Sequence, residues 1–315
     1  MRGRGFTLIE LAVVIAVLGV LFTILIGITR SVVVQQRYAL TRARMANVDN
    51  ALLAYVTQYR RLPCPADGTK ASNAAGAGVE AVTLPSGVRS CGTQQNGVVP
   101  WSTLGLSATD IEDGWGGRLT YRVGPELVQD GAMDFTSCDP GGTGPINPTT
   151  PPYCTPSGSG TTQCNNGTLT GPTAACTSPN NALQAASPWT KGLVVGNASP
   201  LTLTNPPLMD PRGTSSLPTS TGAAYVVISH GPEGGGAFSS GGQLLGSTVA
   251  AGTIEQNNFA NKPYSPPPAL PAIPTVYFVD DTPNGSATNA HFDDILSHPG
   301  ILALAIKAQL GPRSH

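Results

Sequence analysis

The sequence contains little charge, and the charge that it has is balanced. Charged residues make up 11% of the 315 residues, whereas a typical soluble domain has about 25%. Lys and Arg together number 17 and Asp and Glu 18, so the formal net charge is −1. A balance this close to zero excludes disorder of the highly charged kind. It also gives no support to a nucleic-acid partner, although it leaves that partner open.

The sequence also lacks the common catalytic motifs. It has no G-x-S-x-G nucleophile elbow, no G-x-x-x-x-G-K-[ST] phosphate loop and no H-E-x-x-H metal pair. Ser229 and His230 are neighbours in a predicted strand, where adjacent side chains point to opposite faces and cannot act as nucleophile and base. We therefore predict that the chain is not an enzyme.

One long apolar segment is present, at the N-terminus. Residues 11–29 carry no charged side chain, and residues 6–29 contain only Glu10. Such a run is long enough for a transmembrane helix, and Arg2 and Arg4 precede it. A secretory signal would instead have a shorter apolar core followed by a cleavage site. We therefore predict a single membrane span over residues 6–29.

Residues 4–11 (RGFTLIEL) resemble the leader junction of type IV prepilins and type II secretion pseudopilins. The resemblance implies that residues 1–5 are a leader peptide and that a prepilin peptidase cuts between Gly5 and Phe6. It further implies that Phe6 is then N-methylated. Glu10 falls at the fifth mature position, where the carboxylate in this family pairs with the N-terminal amine of a neighbouring subunit during assembly.

This resemblance also implies a fold and a set of partners. The fold would be α+β, with a long N-terminal transmembrane helix packed on an antiparallel β-sheet head. The chain would be a structural subunit of a type IV pilus or type II secretion filament. Its partners would be prepilin peptidase, other subunits, an inner-membrane assembly platform and membrane lipid. The head would be periplasmic, on a single-pass anchor in the inner membrane, before the subunit enters a periplasmic or extracellular filament.

Helical character is predicted to continue past the span, over residues 30–60. Apolar residues recur there at helical spacing and would face the head: Tyr38, Met45, Val48, Leu52, Tyr55 and Tyr59. Polar residues of this segment are expected largely on other faces: Arg37, Thr41, Arg44 and Asp49. Two prolines in residues 61–65 then end the helix. The head would occupy residues 61–315, with strands predicted at 223–231 and 274–279.

Two segments of the head stand out. Residues 113–117 resemble the Asp-Pro-Trp-Gly turn of pseudopilins, with Gly114 in place of the proline. Residues 139–222 are rich in Gly, Pro, Ser and Thr and poor in periodic apolar residues, so we predict a loop-rich surface insertion. The alternative function follows from this insertion. In that alternative the chain is a membrane-tethered periplasmic binding module that captures a surface, DNA or a secretion substrate.

The chain has six cysteines: Cys64, Cys91, Cys138, Cys154, Cys164 and Cys176. None forms a C-x-x-C pair and no His lies at zinc-finger spacing, which disfavours a structural zinc site. An even count in a periplasmic domain favours disulfides. Among the fifteen connectivities we favour Cys64–Cys91, with the other four paired among themselves. Free buried thiols are the alternative.

Four acidic residues flank a Gly- and Asn-containing loop near the C-terminus: Asp280, Asp281, Asp293 and Asp294. Oxygen-rich loops can bind Ca²⁺, and major pseudopilins of the resembled family bind calcium through a C-terminal loop. The spacing here matches no such loop. A solvated turn with Asp helix caps is therefore the favoured interpretation, and Ca²⁺ is the alternative. No other cofactor is predicted.

Overall fold

The computed structural model describes residues 8–136, 191–197, 208–211, 221–246, 255–263, 277–283 and 292–311. Over these residues a long N-terminal helix precedes a series of short strands and a second helix. The helices are α1 (Leu8–Tyr59) and α2 (Ile301–Lys307). The strands are β1 (Ala66–Asp67), β2 (Gly97–Val98), β3 (Thr120–Val123), β4 (Val195–Gly196), β5 (Tyr225–Ser229), β6 (Phe278–Val279) and β7 (Ile295–Ser297).

Helix α1 is 52 residues long, which corresponds to about 78 Å at 1.5 Å per residue. No proline interrupts it. The helix ends where Arg60 takes a left-handed backbone conformation, with φ 54°, and Pro63 and Pro65 prevent it from resuming. Helix α1 thus ends at Tyr59, one residue before the predicted boundary at residue 60.

Five of the strands form one antiparallel sheet in the spatial order β1-β2-β3-β5-β7. The longest pairing joins β3 and β5, with Thr120 opposite Ile228 and Val123 opposite Tyr225. Strands β4 and β6 pair separately and in parallel. A helix followed by an antiparallel sheet agrees with the predicted α+β class.

The sheet is covered on both faces, and β5 shows how its side chains divide. Val227 joins the main core, which includes Leu52 of α1 and Tyr121 of β3. Val226 and Ile228 point the other way and form a smaller cluster with residues of β4 and β6. This division follows from the two-residue period of a strand. The main core therefore joins the C-terminal half of α1 to the sheet.

Residues 191–197 differ from the loop-rich prediction made for 139–222. Leu193 and Val195 are fully buried, and Leu193 pairs with Ala223 through an isolated bridge. The apolar run from Leu193 to Val195 supplies cover for the face of β5 that points away from α1. Apart from residues 208–211 and 221–222, the rest of the predicted insertion lies outside the described residues.

The predicted Cys64–Cys91 disulfide is present, with the two Cα atoms 5.3 Å apart. Glu80 lies within the loop that this disulfide closes. The other four cysteines lie outside the described residues: Cys138, Cys154, Cys164 and Cys176.

Glu80 orders this loop from within. Its carboxylate accepts hydrogen bonds from Arg61 Nη2 at 2.8 Å and Arg61 Nη1 at 3.0 Å, and from the Cys64 backbone N–H at 3.0 Å. Burial alone would raise the pKa of Glu80, but the hydrogen bonds from Arg61 and Cys64 outweigh it and hold the pKa below its usual value. The Glu80 carboxylate is therefore charged in the folded protein at neutral pH.

Candidate functional site: the N-terminal helix and its junction with the head

The first part of α1 is apolar and exposed. Every large apolar side chain from Leu8 to Phe22 is between 47% and 88% exposed. Soluble monomers rarely present a continuous apolar surface of this kind, which marks contact with protein or with lipid. Glu10 is the single charged residue in this stretch, and its side chain is exposed in the first turn of α1.

The environment of α1 changes at Thr41, which is fully buried. From there a face of the helix packs in the head through Met45, Val48 and Leu52, at spacings of four, three and four residues. The prediction that the apolar residues of this half of the helix face the head is thus confirmed for most of them. The last of them, Tyr59, is 48% exposed. Helix α1 therefore has an exposed apolar end and an end built into the head.

A tight turn of the head docks on α1 where the two parts meet. The Gly114 backbone N–H donates to Thr41 Oγ1 at 2.9 Å, and Arg44 Nη1 donates to the Glu112 carbonyl at 2.8 Å. Trp115 meets Tyr38 edge-on, with ring centroids 4.9 Å apart. The prediction that Thr41 and Arg44 lie away from the head is therefore wrong, because both residues bond to this turn.

Asp49 was also expected away from the head, and this prediction is wrong as well. Its carboxylate accepts hydrogen bonds from Tyr225 Oη at 2.8 Å and from Ser297 Oγ at 2.7 Å. Burial raises the pKa of the Asp49 carboxyl, and the two hydrogen bonds only partly offset that effect. Asp49 thus ties α1, the stem of the molecule, to β5 and β7.

Gly114 explains the departure from the pseudopilin Asp-Pro-Trp-Gly pattern. A Cβ at this residue would lie 2.5 Å from the Arg37 carbonyl oxygen and 2.8 Å from Arg37 Cα. A proline here would also lack the N–H that bonds Thr41. The turn can approach α1 this closely only with glycine.

Asp113 fixes the turn to the sheet. Its Oδ1 accepts hydrogen bonds from the backbone N–H groups of Trp115 and Gly117, both at 2.9 Å, and its Oδ2 accepts one from Ser229 Oγ at 2.8 Å. Burial raises the pKa of the Asp113 carboxyl, although these hydrogen bonds act in the opposite direction. Ser229 and its neighbour His230 serve different partners, since His230 Nε2 bonds Thr120 Oγ1 at 2.8 Å.

The four acidic residues proposed for Ca²⁺ fall into two groups. Asp280 Oδ2 lies 2.8 Å from His298 Nε2, and Asp281 accepts a hydrogen bond from the Thr282 N–H at 2.6 Å. Asp293 and Asp294 are instead buried and form a cluster with Glu255. The structure therefore does not bring all four predicted residues to one site.

Comparison with known proteins identifies the N-terminus. Residues 1–26 match the family described as the prokaryotic N-terminal methylation motif. The chain carries the prepilin and pseudopilin signature. This confirms the resemblance predicted from residues 4–11, and the motif implies processing by prepilin peptidase and assembly with other pilin subunits. No curated protein and no solved structure matches the chain.

The residues of the signature are partly visible in the structure. Gly5 and Phe6 lie outside the described residues, whereas Glu10 occupies the first turn of α1. In the part of the chain that the structure describes, no helix is both long enough and apolar enough to cross a membrane. The span over residues 6–29 stays a prediction.

Sequence reasoning missed two residues that the structure makes prominent, Thr41 and Glu255. A signal existed for Thr41, because it lies four residues before Met45 and so on the same face of the helix. Glu255 offered no such signal, because its backbone partner Asp293 is 38 residues away in the chain.

Proposed function

We propose that this chain is a pilin-like or pseudopilin-like structural subunit of a type IV pilus or a type II secretion filament. In this proposal the leader is removed by cleavage after Gly5, and the new N-terminus is methylated at Phe6. Residues 6–29 first anchor the subunit in the inner membrane, with the head in the periplasm. The subunit then leaves the membrane and enters the filament, where its role is structural and not enzymatic.

The observation that carries this proposal is the methylation motif at residues 1–26 on a helix with two different environments. The apolar side chains of residues 8–22 require lipid or other helices to cover them. From Thr41 onward the head itself covers one face of the helix. A helix built in this way suits a stem that is surrounded first by lipid and then by the stems of neighbouring subunits.

The same construction defines the proposed partners. The motif supports prepilin peptidase and other pilin subunits, and the exposed apolar surface supports membrane lipid. An inner-membrane assembly platform would extract the subunit. The head, residues 61–315, is bulky for a subunit that packs laterally along a shaft. We therefore favour a minor subunit at the tip or at initiation.

Glu10 provides the sharpest test of the proposal. A carboxylate within an apolar, lipid-facing helix is costly unless it is paired or neutralised. After cleavage, the N-terminal amine of a neighbouring subunit's Phe6 would supply the positive partner. The pair would fix the register of each incoming subunit. Loss of this charge should therefore affect assembly and leave processing intact.

The experiment expresses the full chain with a prepilin peptidase and a filament assembly platform. Mass spectrometry should find the wild type without residues 1–5 and with one added methyl group. Sheared filaments should contain the wild-type chain. Glu10→Gln should be processed normally but depleted from the sheared fraction by about tenfold or more, as expected for loss of one member of a buried charge pair.

Ile15→Leu is the matched control, because it alters the same exposed part of α1 without changing its charge. It should enter filaments at the wild-type level. Normal incorporation of Glu10→Gln would overturn the proposed pairing. A wild-type chain that is processed but absent from sheared filaments would overturn the filament subunit and favour the tethered binding module. A chain that the peptidase does not process would also overturn the filament subunit, since only that proposal requires cleavage after Gly5.

A further inference from the structure

Three carboxylates converge inside the head, away from the stem junction. They belong to Glu255, Asp293 and Asp294, and one oxygen of each lies within 4.8 Å of the others. All three residues are buried, with no more than 8% of their surface exposed. They come from two segments, a 3₁₀ turn at Glu255–Asn257 and the residues just before β7. Buried acids in such a group repel one another unless a cation or protons neutralise them.

A histidine side chain faces this cluster with one nitrogen unsatisfied. His230 follows β5 directly, and its side chain is fully buried. Its Nε2 is 2.8 Å from Thr120 Oγ1. Its Nδ1 has no hydrogen-bond partner and lies 3.7 Å from Asp294 Oδ1. That distance exceeds hydrogen-bonding range, yet it is close to the separation of two ligands on one metal ion.

The hydrogen bond between His230 and Thr120 makes this arrangement informative. A neutral imidazole has one N–H and one lone pair, on different ring nitrogens. If Nε2 carries the proton, it donates to Thr120 and leaves a lone pair on Nδ1 aimed towards a carboxylate. Two electron-rich atoms in that position repel each other. A cation between them converts the repulsion into coordination.

The geometry points to a site for a divalent transition-metal ion, Zn²⁺ or Mn²⁺, held by His230 Nδ1 and the carboxylates of Asp294, Asp293 and Glu255. An imidazole with carboxylates is a donor set for these ions. Ca²⁺ prefers oxygen ligands alone, so a contribution from His230 separates this site from a calcium loop.

The surrounding residues would support such a site. Thr120 bonds the outer nitrogen of His230, in the way that the second nitrogen of a metal-bound histidine usually finds a partner. Asn258 Nδ2 donates to Asp294 Oδ2 at 2.7 Å and to the Val279 carbonyl at 2.9 Å. The carboxylate of Asp294 is therefore oriented by a side chain that is itself fixed to β6.

A metal ion here would tie the 3₁₀ turn to the residues at the ends of β5 and β7. The Cys64–Cys91 disulfide closes a loop at the β1 edge of the sheet. The metal site would lie towards the opposite edge, beside β7. The head would thus be cross-linked near both edges of its sheet.

The test uses the full chain, purified in detergent without a histidine tag and freed of metal with a chelator. Titration calorimetry with Zn²⁺ and with Mn²⁺ should show one saturable site per chain for at least one of the ions, and the same ion should raise the unfolding temperature. His230→Gln should weaken that binding by about tenfold or more. His298→Gln is the matched control, since His298 pairs with Asp280 outside the cluster, and it should bind the metal as the wild type does.

Two outcomes would overturn the site. One is no binding of either ion to the wild type, and the other is binding that His230→Gln leaves unchanged, including Ca²⁺ binding through oxygen ligands alone. X-ray absorption on the loaded wild-type chain gives a test that does not depend on the folding of a variant. One imidazole among oxygen ligands would support the site, and a shell without imidazole would overturn it.

Discussion

Replacing Gly114 by alanine should loosen the junction between α1 and the head. The new Cβ would lie 2.5 Å from the Arg37 carbonyl oxygen, an atom that cannot move without bending α1. Since ordinary contact begins near 3.4 Å, the turn would have to withdraw by about 0.9 Å. That movement would stretch the hydrogen bond from Gly114 N to Thr41 Oγ1 from 2.9 Å to about 3.8 Å, beyond the range of a hydrogen bond.

The expected change in the free energy of unfolding combines two destabilising effects with one stabilising effect. Crowding a packed site costs about 1–3 kcal/mol, and loss of one hydrogen bond costs about 1 kcal/mol. Alanine also restricts the unfolded chain, which returns about 0.4–1 kcal/mol. We expect Gly114→Ala to lower the free energy of unfolding by about 2 kcal/mol. Gly114→Pro should lower it further, because proline removes the N–H that Thr41 accepts.

Urea unfolding of the full chain in detergent measures the free energy, and hydrogen exchange locates the effect. Amides of α1 near Arg37 and Thr41 should exchange faster in Gly114→Ala than in the wild type. Gly235→Ala is the matched control, since the nearest atom to its Cβ would be 4.0 Å away, and it should change stability by less than about 0.5 kcal/mol. Wild-type stability and wild-type exchange in Gly114→Ala would refute the inference that close approach holds the junction.

Three further predictions concern the head and the stem. Replacing both Cys64 and Cys91 by alanine should lower the free energy of unfolding by about 3.5 kcal/mol, because the bond closes a loop of sequence separation 27; a loss below about 1 kcal/mol in urea unfolding would contradict this. Leu52→Ala should lower the free energy of unfolding by about 2–5 kcal/mol because Leu52 is fully buried. Leu21→Ala, on the exposed part of α1, should leave urea unfolding unchanged. Equal losses of free energy in the two variants would contradict the division of α1 into an exposed and a buried part. Because the pKa of Glu80 is lowered in the folded protein, its contribution to stability is present above the unfolded pKa of about 4.3 and disappears as pH falls through the folded value. Glu80→Gln should therefore unfold with a flatter dependence on acid pH, and an unchanged acid limb would show that other carboxylates dominate.

The sequence predicted the parts of the fold that depend on local signals. A proline-free run and the Pro63 and Pro65 break were enough to locate the end of α1. The apolar run that ends at a Gly-rich turn, around Tyr225–Ser229, was enough for β5. The chemistry of the compartment predicted disulfides but not their partners, and the favoured pairing of Cys64 with Cys91 is present. Each of these signals lies within a short stretch of chain.

The rest of the fold and of the candidate site depends on contacts between segments that are distant in the chain, and a single sequence does not specify these contacts. Leu193–Val195 is buried because the outer face of β5 needs an apolar cover. Nothing within the polar zone around that run predicts this contact. The same holds for Glu255 and Asp294, which meet inside the head although they are 39 residues apart in the chain. The helical periodicity of α1 also does not predict that Asp49 faces the head, because the partners of Asp49 come from β5 and β7 rather than from its own helix.

Strands β3 and β5 are neighbours in the sheet although residues 124–224 lie between them in the chain. The entropic cost of closing a flexible loop rises only with the logarithm of its length. Halving or doubling the length of the connection therefore changes the free energy of folding by about 0.6 kcal/mol. The sheet is therefore nearly indifferent to how much chain is inserted at this point. Evolution, or a protein engineer, could exchange the surface carried between β3 and β5 and keep the stem, its junction and the rest of the head. The core residues among 125–135 and the short β4 segment would have to be retained.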